Sequence, residues 1–341
     1  MGVLLTPIIP RKILRLEHLK GKVFAVDANN MLYQFLALIR TPDGQPLRSP
    51  NGEITSHLVG LAFRTTRLIA DYEMRFIFVF DGPPHPLKLQ EIEKRRIQRR
   101  KAFQEWRKAI ERGDYETAFS KAVVMSTLNR EMIKDAKHLL DLLGIPWIQA
   151  PSDAEAQAAF MASRGDVWAV NSRDYDSLLY GTPKLVRYLT ISGTEFLPSK
   201  GLARPLLPEL IELNTVLSHL QLTREQLIDV AILIGTDFNP GVKNIGPKKA
   251  LKLIKIYGKL EKLPLNIQRQ LPSNYEEIRE IFLNPPVLRK YKIVFRPLDE
   301  DGLIDFLCGK KGFSRRRVKT LLERMKRVYL RSRSRILDEW I

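Results

Sequence analysis

The sequence predicts an α/β fold, a mostly parallel β-sheet flanked by helices, and three observations predict it. Short apolar runs recur, and aspartate ends or closely follows each. Val23-Phe24-Ala25-Val26 runs into Asp27, Phe76-Ile77-Phe78-Val79-Phe80 runs into Asp81, and Val167 to Val170 leads to Asp174 and Asp176. Continuous apolar runs are how buried parallel strands read. Stretches of helical periodicity separate them, and late in the chain Asn244-Ile-Gly246-Pro-Lys248-Lys249 joins two helices in the manner of a helix-hairpin-helix. Ligand sites in open α/β sheets lie beyond the carboxyl ends of the strands. Three strands delivering acids to one edge would therefore make a pocket that only cations neutralise. The plainer reading of any one such aspartate is a turn or N-cap residue. The repetition weighs against it.

Residues 1–22 read as an irregular lead-in. Its start, Met1 to Thr6, formally matches a myristoylation pattern, one short enough to recur by chance. The first strand is 23–27. A helix over 29–39 follows, with Met31, Leu32, Phe35, Leu36 and Ile39 on one face. Tyr33 lies off that stripe, where it either packs at the core margin or stacks on a base. Residues 41–53 carry Pro-Asp-Gly and Pro-Asn-Gly turn signals and suggest a hairpin. A helix over 56–72 carries Arg64 and Arg67 within reach of phosphates. After the strand 76–80, residues 87–112 form a strongly basic helix with few apolar anchors, so it should protrude. Arg112-Gly113-Asp114 breaks it before a second segment, 115–126. A helix over 127–143 ends at Gly144. Pro146 places the strand candidate 145–148 at a sheet edge. Ser152 and Glu155 have the spacing of a capping box, so Glu155 either caps its helix or joins the acids at the same edge. A short strand at 185–189 and a loop-rich stretch at 192–208 follow. Residues 208–234 read as helical with a break near 218–223, 260–300 show little periodicity, and 303–308 and 314–331 are further helices.

With 56 Lys+Arg against 38 Asp+Glu, the net charge is +18, concentrated at 88–112, 243–262 and 309–335. That balance calls for a polyanionic partner, nucleic acid before an acidic membrane. One cysteine, Cys308, excludes an internal disulfide and a cysteine-based zinc site. No stretch approaches the ~20 apolar residues of a spanning helix, and the N-terminus lacks a signal-peptide core. The sequence reads as intracellular.

Seven carboxylates fall at element ends: Asp27, Asp81, Asp153, Glu155, Asp174, Asp176 and Asp237. An all-oxygen set without histidine or cysteine selects Mg²⁺ or Mn²⁺ over Zn²⁺. Paired ions about 3.5–4 Å apart clamp in-line phosphodiester chemistry. Lys88 and Arg95 share a helix face just beyond Asp81, where they would neutralise charge on a reacting phosphate. Around the hairpin, Lys243, Lys248 and Lys249 flank a turn at Gly246 whose N–H groups suit a phosphate backbone. An ordinary helix–helix turn is the alternative. The end of the chain, 332–341, reads as an exposed tail, and its Leu337, Trp340 and Ile341 suggest a partner motif.

These residues resemble the flap endonuclease family, archaeal type, along nearly the whole chain. The resemblance is carried by Val26-Asp27-Ala28 with Tyr33-Gln-Phe-Leu36, by Thr55-Ser-His-Leu58 and by Val79-Phe-Asp81-Gly82. It continues in Gly144-Ile-Pro146, Ala150-Pro-Ser-Asp153-Ala-Glu155-Ala156, Asp174-Tyr-Asp176-Ser-Leu178 and Gly235-Thr-Asp237 through Ile245-Gly-Pro-Lys248. It implies a PIN-like 5′-nuclease core that cuts 5′ flaps in Okazaki-fragment maturation and base-excision repair. It implies two Mg²⁺ ions, for which Mn²⁺ can substitute, held by the seven acids. Lys88 and Arg95 become the family's gateway cations, and Tyr33 the residue that stacks near the scissile nucleotide. Residues 83–130 become a helical arch through which the flap threads. Residues 38–58, with Arg40 and Thr55, fall where the family opens the duplex and holds a 3′ flap. The hairpin is expected to bind phosphate with a K⁺ ion, and Gly2 to lie near the active site. The tail resembles a sliding-clamp (PCNA) peptide.

The implied organisation is one nuclease domain, 1–331. It comprises an N-terminal region (1–82), the arch, an internal region (131–215), the hairpin region (216–260) and C-terminal helices (261–331). The clamp-binding tail is 332–341. A monomer is expected, cytoplasmic and nucleoid-associated if archaeal. Three departures stand out: Asp153 replaces the family's Glu, Asn244 replaces a hairpin Gly, and Ser334 replaces the Gln of the clamp peptide. The nucleotide-excision endonuclease carries a long insertion that the interval from Asp81 to Asp153 has no room for. The exonuclease and junction-resolving relatives run longer after the hairpin. A non-catalytic DNA scaffold would not need all seven acids, and PIN ribonucleases lack the hairpin.

Overall fold

The computed structural model describes residues 2–41, 44–191, 193–197 and 202–338. Its larger sheet contains β1 (Lys12–Ile13), β2 (Val23–Asp27), β3 (Arg75–Phe80), β4 (Trp147–Gln149), β5 (Ala169–Asn171) and β6 (Lys184–Arg187). A separate antiparallel ribbon pairs β7 (Gly193–Leu197) with β8 (Leu202–Leu206), and β9 (Glu209–Glu212) returns to the larger sheet. The order there is β1-β9-β6-β5-β2-β3-β4. The run from β6 to β4 is parallel throughout, while β9 and β1 add an antiparallel edge. The sheet is therefore mostly parallel, as the apolar runs predict.

Side chains alternate along a strand, and the sheet uses both faces. Phe24, Val26, Phe76, Phe78 and Phe80 pack on the side of the helices Ala28–Leu38 and Arg130–Leu142. Ala25, Ile77, Val79 and Val170 face the helices Ala154–Ser163 and Arg224–Ile234. The chain leaves β2 for β3 and β4 on one side, then crosses back to β5 and β6 on the other. The order thus reverses between β2 and β5. Register pairs Asp27 with Val79 and Val26 with Asn171, so these strands end level and their trailing acids emerge at one edge.

Pro146 does mark an edge, since β4 ends the sheet. The 41–53 turns form two tight antiparallel bridges, Arg40 with Pro46 and Arg48 with Ile54. The helix expected over 56–72 widens to π geometry at Gly60–Thr65. The basic run forms a 23-residue helix, Leu89–Glu111, that buries only Ala102 and Ala109. Gly113, at φ 69°, turns the chain into Tyr115–Met125, capped by Asp114. The two helices form a hairpin, tied by Lys121 to Glu105 at 2.6 Å.

Several expectations fail. Residues 209–212 are strand, not helix, because Glu209 to Glu212 completes the ladder beside β6. The loop-rich stretch contains the β7–β8 ribbon, and 260–300 contains a helix, Tyr275–Leu283. The last helix, Arg315–Asp338, runs past the boundary expected at 331. The tail reading rests on the side chains of Ser334, Leu337, Trp340 and Ile341, which lie outside the described residues. Among the described residues no helix is long and apolar enough to cross a membrane.

Candidate active site

The acids gather where the strand order reverses. Asp27 ends β2 and is both N-cap and site residue, accepting from the Asn30 N–H at 3.0 Å. Asp81 follows β3 and accepts from the Ala154 N–H at 2.8 Å, which places it at the N-terminus of the helix Ala154–Ser163. Asp153 is that helix's N-cap residue, but its carboxylate turns away from the cap. It accepts from Lys88 Nζ at 2.6 Å and from the Tyr180 hydroxyl at 2.5 Å. The capping-box reading of Glu155 is not realised: its Oε1 accepts from Ser172 and Ser177 at 2.8 and 2.7 Å. Asp174 accepts from Asn30 Nδ2 at 2.8 Å, and Asp176 from the buried Val3 N–H at 2.8 Å. Asp237 accepts from Arg95 Nη2 at 2.5 Å. The N-terminal segment belongs to the site, since a Cβ on Gly2 would stand 2.5 Å from Asp176 Oδ1.

So many acids cannot all ionise freely in one desolvated space. Burial, reinforced by Asp81 and Asp174, pushes Asp27 well above the ordinary carboxylate range. Burial and then Asp176, Asp27 and Asp174 do the same to Glu155. Asp176 is pushed up to about 7 by burial, then by Asp237 and Asp174. Asp81 opens to solvent, yet desolvation within the cluster and the charges of Asp153 and Asp237 push it up to about 6. Burial alone would pull the Lys88 ammonium down, but Asp153 and Asp237 outweigh it and hold it charged. Among the described residues no three of the acids stand close enough to close a coordination shell. Their donor chemistry nonetheless fits a hard divalent cation: all oxygen, crowded and short of positive charge.

The other expected residues divide. Tyr33 is half-buried beside the helical hairpin, with the Arg99 guanidinium 5.7 Å over its ring. Arg40 is spent on protein: it donates to the Gly44 and Ala122 carbonyls at 2.6 and 2.9 Å and to Ser126 Oγ at 2.5 Å. The structure thus makes it a bracket between the turns that begin at Gly44 and the second helix of the helical hairpin. Thr55 is buried, and Arg64 is half-buried with its guanidinium pulled down by burial. Lys243, Gly246, Lys248 and Lys249 are exposed around the turn before the helix Pro247–Tyr257, whose N-terminus no side chain caps. Asn244 takes the left-handed conformation at φ 61°, which explains how it serves in place of Gly. Reading the sequence missed Tyr180, Asn30, Ser172 and Ser177. Asn30 and Tyr180 lie three and four residues after Asp27 and Asp176, the spacing that puts residues on one helix face.

Comparison with known proteins matches the same regions. Residues 1–102 match the family model described as the XPG N-terminal domain, and 144–237 the XPG I-region. Flap endonuclease 1 of Pyrococcus furiosus is 48% identical, over 100% of this chain and 99% of that protein. The flap endonuclease-1 structure from Methanococcus jannaschii superposes with a TM-score of 0.78 at 40% identity, over 97% of this chain and 100% of that one. The catalytic core of Rad2 in complex with a DNA substrate shares the fold, with a TM-score of 0.69 at 24% identity over 94% of this chain and 97% of its own. So does a Holliday junction-resolving GEN1 in complex with product DNA and Mg²⁺, at 0.58 and 20% over 93% of this chain and 74% of its own. With its acids gathered at the strand-order reversal and its full length matched, the chain belongs to the flap endonuclease family of DNA nucleases.

Proposed function

We propose that the chain cuts 5′-flap DNA near the junction by a two-metal mechanism, with Asp27, Asp81, Asp153, Glu155, Asp174, Asp176 and Asp237 holding two Mg²⁺ ions directly or through water. The observation that carries this reading is the opposition of charges: two cations at the base of the helical hairpin, Lys88 and Arg95, planted on Asp153 and Asp237 at 2.6 and 2.5 Å. Bound ions would supply the attacking hydroxide at neutral pH and charge relief for the leaving oxygen. The protein does the rest. Lys88 and Arg95 exchange their carboxylate partners for the scissile phosphate and neutralise its developing charge. Tyr33, on the helix that starts at Asp27, offers a face to the flanking base.

The helical hairpin above the site serves as the arch for the flap. The turn at Lys243, Gly246, Lys248 and Lys249 grips the duplex backbone, where a K⁺ ion would add positive charge. Half-buried Arg64 lies at the neighbouring duplex surface, and Thr55, expected there too, is buried. The tail at Ser334, Leu337, Trp340 and Ile341 docks on the sliding clamp PCNA, and the enzyme acts as a monomer in Okazaki-fragment maturation and base-excision repair. The deciding experiment incubates purified protein with labelled 5′-flap, nicked, single-stranded and four-way DNA in Mg²⁺ or Mn²⁺. Preferred cutting at the flap junction supports the proposal. Binding without cleavage in either metal refutes it.

A further inference from the structure

We infer that Tyr180 is a positioning residue of the acid cluster, size-matched to Asp153. The tyrosine ring is buried, at 7% exposure, and lies 5.0 Å from the ring of Phe282, which in turn is 5.3 Å from Phe238. Lys88 Nζ lies over the Phe238 ring at 4.9 Å. This aromatic wall fixes both groups that meet Asp153. The Tyr180 hydroxyl donates to Oδ2 at 2.5 Å, and Lys88 donates to Oδ1 at 2.6 Å. Each carboxylate oxygen keeps a further lone pair, so Asp153 can still meet a metal-bound water from where it is held.

The position matters because Asp153 stands where the family that the chain resembles carries Glu. An aspartate is one methylene shorter and, left alone, would sit back from the cluster. Here the tyrosine hydroxyl meets Oδ2, which sets the depth of the carboxylate and, through it, the resting place of Lys88. Groups that orient metal-binding acids in this way tune affinity without touching the metal. Carried one methylene further along the same line, a carboxylate would run into that hydroxyl, which already stands 2.5 Å from Oδ2. A glutamate at 153 should therefore fit only once the hydroxyl is gone.

This inference rests on the metal-site reading, and the test separates the two. Mn²⁺ binding to the full-length protein without DNA is followed by electron paramagnetic resonance in the parent, Tyr180→Phe, Asp153→Glu and the double variant. Phenylalanine keeps the ring and its packing, and circular dichroism checks the fold of each. The expected result is a loss of affinity of roughly 10-fold in Tyr180→Phe and a loss in Asp153→Glu. The double variant should regain most of either loss. Parent-like binding by Tyr180→Phe, or losses that simply multiply in the double variant, overturns the positioning role while leaving the metal site standing. A parent that binds no Mn²⁺ overturns both.

Discussion

Asp176→Asn should stabilise the metal-free protein at alkaline pH while destroying cleavage. Asp176 is 5% exposed, and burial with Asp237 and Asp174 lifts it from an ordinary 3.8 to about 7. The folded state therefore binds this proton more tightly than the unfolded state. Between those two values stability falls as pH rises. No penalty exists below the unfolded value, and all of it is present above the folded one. At about 1.4 kcal/mol per pH unit the full penalty has a ceiling of about 4 kcal/mol. The ceiling is not reached, because one proton relieves several acids at once. Asparagine removes the charge and keeps an oxygen for the Val3 N–H. Its gain at pH 8 should exceed its gain at pH 5 by roughly 2–3 kcal/mol at most. Urea denaturation of both proteins in EDTA at the two pH values measures this. Mg²⁺ should stabilise the parent more than the variant, which has lost one of its charged ligands. Equal gains at both pH values, or a variant less stable than the parent at pH 8, refute the electrostatic argument.

Arg279 joins the helix Tyr275–Leu283 to the buried Asp229 and to Glu261, each at 2.9 Å. Arg279→Ala strands that aspartate, and chemical denaturation should register about 3–5 kcal/mol of destabilisation. Asn244→Val forces a β-branched side chain into the left-handed region at φ 61°, a strain of about 1–3 kcal/mol. Duplex affinity should drop in a salt-titrated binding assay, while Asn244→Gly binds normally. Gly2→Ala drives a methyl group to within 2.5 Å of Asp176 Oδ1. Displacing that acid by about 1 Å should slow single-turnover cleavage by roughly 100-fold with DNA binding intact. Deleting 334–341 should abolish stimulation by the clamp and leave unstimulated cleavage unchanged.

The sheet and most of the site were legible because their signals are local. An apolar run ending in aspartate states both the strand and the acid that it delivers, and β2 and β3 appear where those runs lie. The acids of 174–176 needed only one further fact, that the strands are parallel, whereas Asp237 follows the helix Arg224–Ile234 and reaches the cluster through that helix's packing on the sheet. What stayed hidden depends on partners distant in sequence. Glu209 to Glu212 has helical neighbours and becomes a strand only because β6 lies beside it. Glu155 has the spacing of a cap, and only the arrival of Ser172 and Ser177 decides that it faces the acids. Arg40 looked like a cation for DNA, yet the carbonyls that claim it lie 82 residues away at Ala122 and nearby at Gly44. Tyr180 carries no motif, and its value comes from the shortened acid that it meets.

The Arg40 bracket has a mechanical consequence. One guanidinium holds the turn at Gly44 with one nitrogen and the second helix of the helical hairpin with the other. The Gly44 backbone also packs so tightly on Phe119 that an added Cβ would lie 3.1 Å from its Cα. Arginine's planar fork makes this joint stiff in a way that a lysine would not. Turns and hairpin therefore move as one rigid strut. A load applied to the turns reaches the hairpin without passing through the sheet.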